Sequence, residues 1–196
     1  KGRIGLVAAS RAKSKEKQIE RLKEVAHRGL KGLRVAPFYG CQILRPSKIL
    51  GFEDPDRPWS LERIIEACGG EAIDYPAKIK CCGFPIIQAR EETALGELIQ
   101  PIEQAKEAGA DAIVTPCPLC HLSLDAWQSK LKKQTGKDFQ MPILHLSQLI
   151  GVAAGIVGVD VGSIESAIDA LRTWAEELGY TKSAKLLQQT LDQERA

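Results

Sequence analysis

The sequence predicts an α/β fold in which a parallel sheet of about four strands is flanked by helices, with helical extensions at both ends. Three observations carry this expectation. Short apolar runs (LRVAPFYG, AIDYP, DAIVTP and MPILHL) alternate with helical patterns, the signature of successive βαβ units. The 196 residues, 44% hydrophobic and 27% charged, suit one compact domain with room for extensions. Cysteines also follow three of the strand-like runs closely, at the carboxyl edge where open α/β sheets hold their ligands.

Taken in order, residues 14 to 28 (SKEKQIERLKEVAHR) read as a charged helix with Ile19, Leu22 and Val25 on one stripe. Lys13, Lys15, Lys17, Arg21, Lys23 and Arg28 interleave with Glu16, Glu20 and Glu24 at helical spacing, so the cluster reads as a solvated face. LRVAPFYG (33 to 40) is expected as a strand ended by Gly40, just before Cys41. RPSKILGFEDPDRP, with Pro46, Pro55 and Pro58, is expected as a loop. Ser60 is expected to cap the helix LERIIEAC, which stops at Gly69 and Gly70.

AIDYP (72 to 76) is a short strand leading to a turn at Cys81, Cys82 and Gly83. A helix over 91 to 108 is expected to break or restart at Pro101. DAIVTP (111 to 116) is an apolar strand running into Cys117. After Pro118, HLSLDAWQSKLKKQ reads as one amphipathic helix, and MPILHL (141 to 146) is the fourth strand, followed by a helix from Ser147. The domains expected are a helical segment over 1–28, an α/β domain over 29–155 and a helical hairpin over 156–196, jointed at Gly179.

With 27 basic and 25 acidic residues the formal charge is +2, which gives no reason to invoke nucleic acid. No apolar run of about 18 residues is present, and no basic segment followed by an apolar stretch and a cleavage site, so the expectation is a chain without a transmembrane segment in the cytoplasm. Thiols stay reduced there, and clustered cysteines point to metal or catalysis rather than disulfides.

Right-handed crossovers align the strands, so Cys41, Cys81, Cys82, Cys117 and Cys120 should converge on one edge. A CxxC serves zinc ribbons, redox dithiols and iron–sulfur sites alike. The vicinal pair narrows the choice, because adjacent cysteines rarely serve one tetrahedral zinc but can ligate neighbouring irons. Five thiolates also exceed the four a structural zinc needs, although zinc held by four of them stays an alternative. Pro116 and Pro118 stiffen the loop around Cys117, and Gly83 is expected to let backbone approach a cofactor closely.

The spacing, carried by GLRVAPFYGCQILRP, DYPAKIKCCGF and TPCPLCHLSLD, resembles the cysteine-rich CCG domain family, and most closely the C-terminal CCG repeat of the heterodisulfide reductase B subunit, over residues 29 to 155. That resemblance implies a Rossmann-like CCG domain and a noncubane [4Fe-4S] cluster bound by all five cysteines, with Gly83 beside it. It also implies a redox enzyme that reduces a disulfide, or oxidises thiols, of a small molecule or carrier. The partners implied are the other redox subunits of a heterodisulfide-reductase-like complex. Relatives that accompany succinate, lactate or glycolate dehydrogenases imply a second role, an electron relay to quinone or a partner. Only one cysteine set is present where such a reductase chain has two, so cleavage shared between two clusters needs a second cluster from elsewhere. The tail SIESAIDALRTWAEELGYTKSAKLLQQTLDQERA weakly resembles a helix pair of small ferritin-like stress proteins, without their Glu and His metal pattern.

The remaining residues have quieter readings. Cys68 is expected as a buried small hydrophobe. His121 is either a proton donor beside a bound thiolate or a helix cap, His145 a satisfied core histidine and His27 part of the charged helix. Trp59, Trp127 and Trp174 read as core or interface anchors. Arg45, Lys48 and Lys80 flank cysteine turns, where they either attract an anion or face solvent. No Walker loop or dinucleotide fingerprint follows a strand, and no nucleophile has an evident His and acid partner.

Overall fold

A computed structural model describes residues 2–27 and 29–156, with side chains from residue 14 onward. The expected helical hairpin over 156–196, with Trp174, lies outside the described residues apart from its first position. Four short parallel strands form one sheet: β1 (Arg34–Pro37), β2 (Glu71–Ala72), β3 (Ala112–Thr115) and β4 (Ile143–His145), in the order β2-β1-β3-β4. The α/β class expected from the alternation of strands and helices is the one observed. The chain steps from β1 to one side for β2 and to the other side for β3, so the order reverses between β1 and β3. That reversal opens a crevice at the carboxyl ends of the two strands.

Alternate residues of each strand feed opposite faces. On one face Ala36, Ile113 and Ile143 pack with α4 (Glu91–Glu107), α5 (Pro118–Ala126) and α6 (Gln128–Thr135), through Leu98, Ile102, Leu124 and Leu131. On the other, Val35, Ala112, Val114 and Leu144 pack with α3 (Ser60–Ala67) and α7 (Leu146–Ala153), through Ile65, Leu149 and Ala153. The remaining α-helices among the described residues are α1 (Gly2–Val25) and the single turn α2 (Ser47–Leu50). Cys68 is buried in the second core, as a small hydrophobe would be.

Several elements differ from expectation, each for a physical reason. The strands are shorter than their apolar runs: extended backbone continues past Ala72, where the Ile73 amide still donates to the Val35 carbonyl, but Pro76 then opens a 3₁₀ turn (Pro76–Ile79). Pro101 does not break α4; it is buried within the helix, where its nitrogen has no hydrogen to donate. The single helix expected after Pro118 is two, meeting at Trp127. The proline-rich loop contains α2, α7 begins one residue before Ser147, and α1 begins well before residue 14. Ser60 does not cap α3. The Glu53 carboxylate does, accepting the Trp59 amide at 2.8 Å and the Ser60 amide at 3.1 Å.

Candidate functional site

Cys41 lies four residues beyond β1, Cys117 two beyond β3, and Cys120 one turn into α5. Cys81 and Cys82 arrive from β2 through the 3₁₀ turn at Pro76–Ile79. The crevice between β1 and β3 thereby collects the cysteines. Cys41, Cys82, Cys117 and Cys120, with Tyr39, Gln42, Ile43, Phe84, Pro85, Pro116, Pro118 and Leu119, line a cavity of about 320 Å³. Cys81 completes the set by standing against the Cys41 thiol, while Cys82 meets Cys120 and Cys120 meets Cys117. Cys82 and Cys120 are buried; Cys41, Cys81 and Cys117 are half-buried towards the mouth.

Electrostatics follows from this crowding. Burial, then the neighbouring Cys81, pushes the Cys41 thiol up. Within the buried pair, the hydrogen bond from Cys120 holds Cys82 down at about 6 against the cost of burial, with the Phe84 amide helping. Cys120 keeps its proton: its bond to Cys82 comes first and burial second in raising it. Within the buried pair one anion is favoured while its partner resists ionising, and a bound cation would offset such charge.

The donor set fits an iron–sulfur group. Soft sulfur ligands at one end, and backbone amides directed at sulfur, are what such clusters use. The Gly83 amide lies 3.4 Å from Cys81 Sγ. Gly40 has φ +69°, and a Cβ there would stand 2.8 Å from Cys120 Sγ, so bare backbone cradles that sulfur. Among the described residues no three His, Cys, Asp or Glu side chains converge as ligands of one ion do.

Gly83 also has a packing reason: with φ +75°, its Cβ would lie 2.4 Å from the Ala94 carbonyl of α4. Its bare Cα therefore faces a helix rather than the cavity. His121 Nε2 lies 3.2 Å from the Ile143 carbonyl, and its ring meets His145 edge-on at 6.1 Å. His145 is a satisfied histidine that caps α7: Nδ1 accepts from Ser147 and Nε2 donates to the Pro116 carbonyl at 3.2 Å. Arg45 reaches the Ile79 carbonyl at 3.1 Å, tying the Cys41 loop to the turn before Cys81, while Lys48 and Lys80 face solvent.

Three contributors stand out only in three dimensions. Ser123, buried on α5, donates to the Cys82 carbonyl at 2.7 Å and fixes the vicinal turn. Tyr39 walls the cavity and donates to Glu62 at 2.5 Å while accepting the Leu61 amide. Glu62 also holds Lys78, which reaches the exposed Asp74. Gly40, in sequence a strand end only, is the third. An aromatic next to a glycine before a cysteine is the available signal for the last two.

Residues 35–125 match the family described as CCG, the cysteine-rich domain. The chain is 39% identical over 154 residues to the 8-methylmenaquinol:fumarate reductase membrane anchor subunit of Wolinella succinogenes, covering 79% of this chain and 54% of that one. It is 34% identical over 159 residues to the B subunit of the ferredoxin:CoB-CoM heterodisulfide reductase of Methanosarcina mazei, covering 80% and 53%. It is 37% identical over 145 residues to a protein of Archaeoglobus profundus named as like the heterodisulfide reductase B subunit, covering 72% and 48%. The chain spans about half the length of these relatives. Among the described residues no helix is long and apolar enough to cross a membrane.

Proposed function

Since residues 35–125 belong to the cysteine-rich CCG family, we propose that this chain is an iron–sulfur redox subunit whose Cys41, Cys81, Cys82, Cys117 and Cys120 hold a noncubane [4Fe-4S] cluster. The observation that carries the reading is the gathering of five cysteines from three separate loops at one sheet edge. Five thiolates, one more than a structural zinc takes, and the adjacency of Cys81 and Cys82 favour a multinuclear cluster over the zinc alternative. When bound, the cluster supplies one-electron steps at thiolate-ligated iron.

The chain's own residues supply the rest. Gly40 and Gly83 bring backbone against two of the sulfurs, and Ser123 and Phe84 hold the vicinal turn. Phe84 is held by stacking on Trp127 at 6.0 Å and closes one wall of the cavity. Half-exposed Cys41 and Cys117 leave the mouth open to a reactant, and exposed Ile86 and Leu119 beside it suit a protein partner. The reaction assigned is reduction of a disulfide to two thiols, which takes two electrons and two protons, or its reverse; relatives named for the heterodisulfide reductase B subunit support it.

A second reading is an electron relay between a quinol and a protein partner. It is favoured by the likeness to a chain named for 8-methylmenaquinol:fumarate reductase. Anaerobic titration separates the two. Under the first reading a disulfide or dithiol alters the electron paramagnetic resonance of the reduced or oxidised cluster and a quinol does not; the reverse outcome selects the relay.

A further inference from the structure

Tyr39, Ile43 and Pro116 line the cysteine cavity on one side. On the other they line a second cavity, of about 430 Å³. Its volume lies within the range of small-molecule sites. The far wall is α1, which contributes Ile19 and Leu22; Phe52, Leu61, Ile64 and Leu146 complete an apolar interior. The polar side chains of the lining are half-buried Lys15, exposed Gln18, the buried Ser60, which bonds to Glu53, and Tyr39, whose hydroxyl donates to Glu62. Lys15 is fixed in place, its Nζ 2.8 Å from the Phe52 carbonyl, 3.0 Å from Glu53 and 3.6 Å above the Phe52 ring.

We propose that this cavity between α1 and the carboxyl edge of the sheet binds the ring of a quinone. Three features select that class. The walls are aliphatic and aromatic, which suits a planar ring and excludes a charged thiol carrier. The Gln18 amide, and the one N–H that Lys15 keeps beyond its bonds to the Phe52 carbonyl and Glu53, can donate to ring carbonyls. The wall shared with the cysteine cavity is one side chain thick, at Tyr39, Ile43 and Pro116, which sets the ring next to the sulfurs without opening the cysteine cavity to it. The inference rests on the relay reading above and names where its quinone sits. Binding is the claim; it requires no turnover.

Menadione titrated into the anaerobic protein, followed by tryptophan fluorescence and calorimetry, tests it. The expected result is micromolar binding, at least about tenfold tighter than that of methylnaphthalene, which lacks the carbonyls. Leu22→Trp, which fills the cavity from α1, should weaken binding about tenfold or more. Val152→Trp, in the separate cavity at the opposite end of the sheet, should leave it unchanged. Should Leu22→Trp fail to fold, the paired substitutions Lys15→Met and Gln18→Leu serve instead, and should erase the preference for menadione over the hydrocarbon. Absence of binding, equal affinity for methylnaphthalene, or undiminished affinity in the cavity variants overturns the site. The relay reading fails separately: if the protein carries no iron yet binds menadione with the expected variant pattern, the site stands and the relay falls. If menadiol reduces the cluster equally well in Leu22→Trp and wild type, the relay stands and the site falls.

Discussion

At Gly40 the backbone turns through φ +69° with the Cys120 sulfur where a side chain would begin. Gly136 has a similar φ of +74° but nothing within 4 Å of its Cβ position. Gly136→Ala should therefore cost only the left-handed backbone, about 1–2 kcal/mol. Gly40→Ala should cost an additional 1–3 kcal/mol or so from overpacking and should lower iron retention, checked by urea unfolding and metal analysis. His145 gives a prediction in pH. Burial, the first cause, and nearby His121 hold it below its ordinary 6.5, against the Pro116 hydrogen bond. A base with a lowered folded pKa contributes stability that is complete above the unfolded value and is lost as pH falls through the folded one. Thermal unfolding should accordingly lose midpoint temperature below about pH 6.5, and His145→Asn, which keeps an acceptor for the α7 cap, should lose less over the same range. The five cysteines were legible because spacing and strand ends are local. Ser123 and Tyr39 were not, since their roles depend on partners 41 and 23 residues away.

Among the elements, α1 and α3 are joined by one carboxylate. Burial works against the charge of Glu53, but hydrogen bonds from Ser60, Trp59 and Lys15 outweigh it and keep its pKa below the ordinary 4.5. Glu53→Gln should destabilise the fold by about 1.5–3 kcal/mol, the range for hydrogen bonds to a charged group. Lys15→Met should cost less than about 1 kcal/mol, because Lys15 is partly solvated. Denaturant midpoints measure both, and equal losses would contradict the assignment of Glu53 as the α3 cap. Periodicity identified the four strands and the longer helices of the described α/β region, but it missed α2 and the break at Trp127 and misjudged extents. Alternation reports extended backbone, whereas a ladder stops where its partner strand stops; and a cap delivered from seven residues upstream leaves Ser60 looking like the cap itself.

For the molecule as a whole, topology does most of the work. Reversal of strand order between β1 and β3 makes the crevice, and three loops leaving the same edge fill it with sulfur. A single sequence shows that strands alternate with helices but not their spatial order, so the common edge was legible and the switch between β1 and β3 was not. If metal holds that edge, stripping it should raise amide hydrogen exchange over residues 38–44, 80–87 and 116–121 far more than in β3 and its core neighbours. Exchange mass spectrometry with and without a chelator reads this directly; an unchanged edge would count against a bound group there. The most direct test is iron, acid-labile sulfide and zinc content of the anaerobically prepared protein. The account predicts iron and sulfide in equal amounts, about four of each per chain, with little zinc. Stoichiometric zinc, or protein free of iron and sulfide, would contradict it.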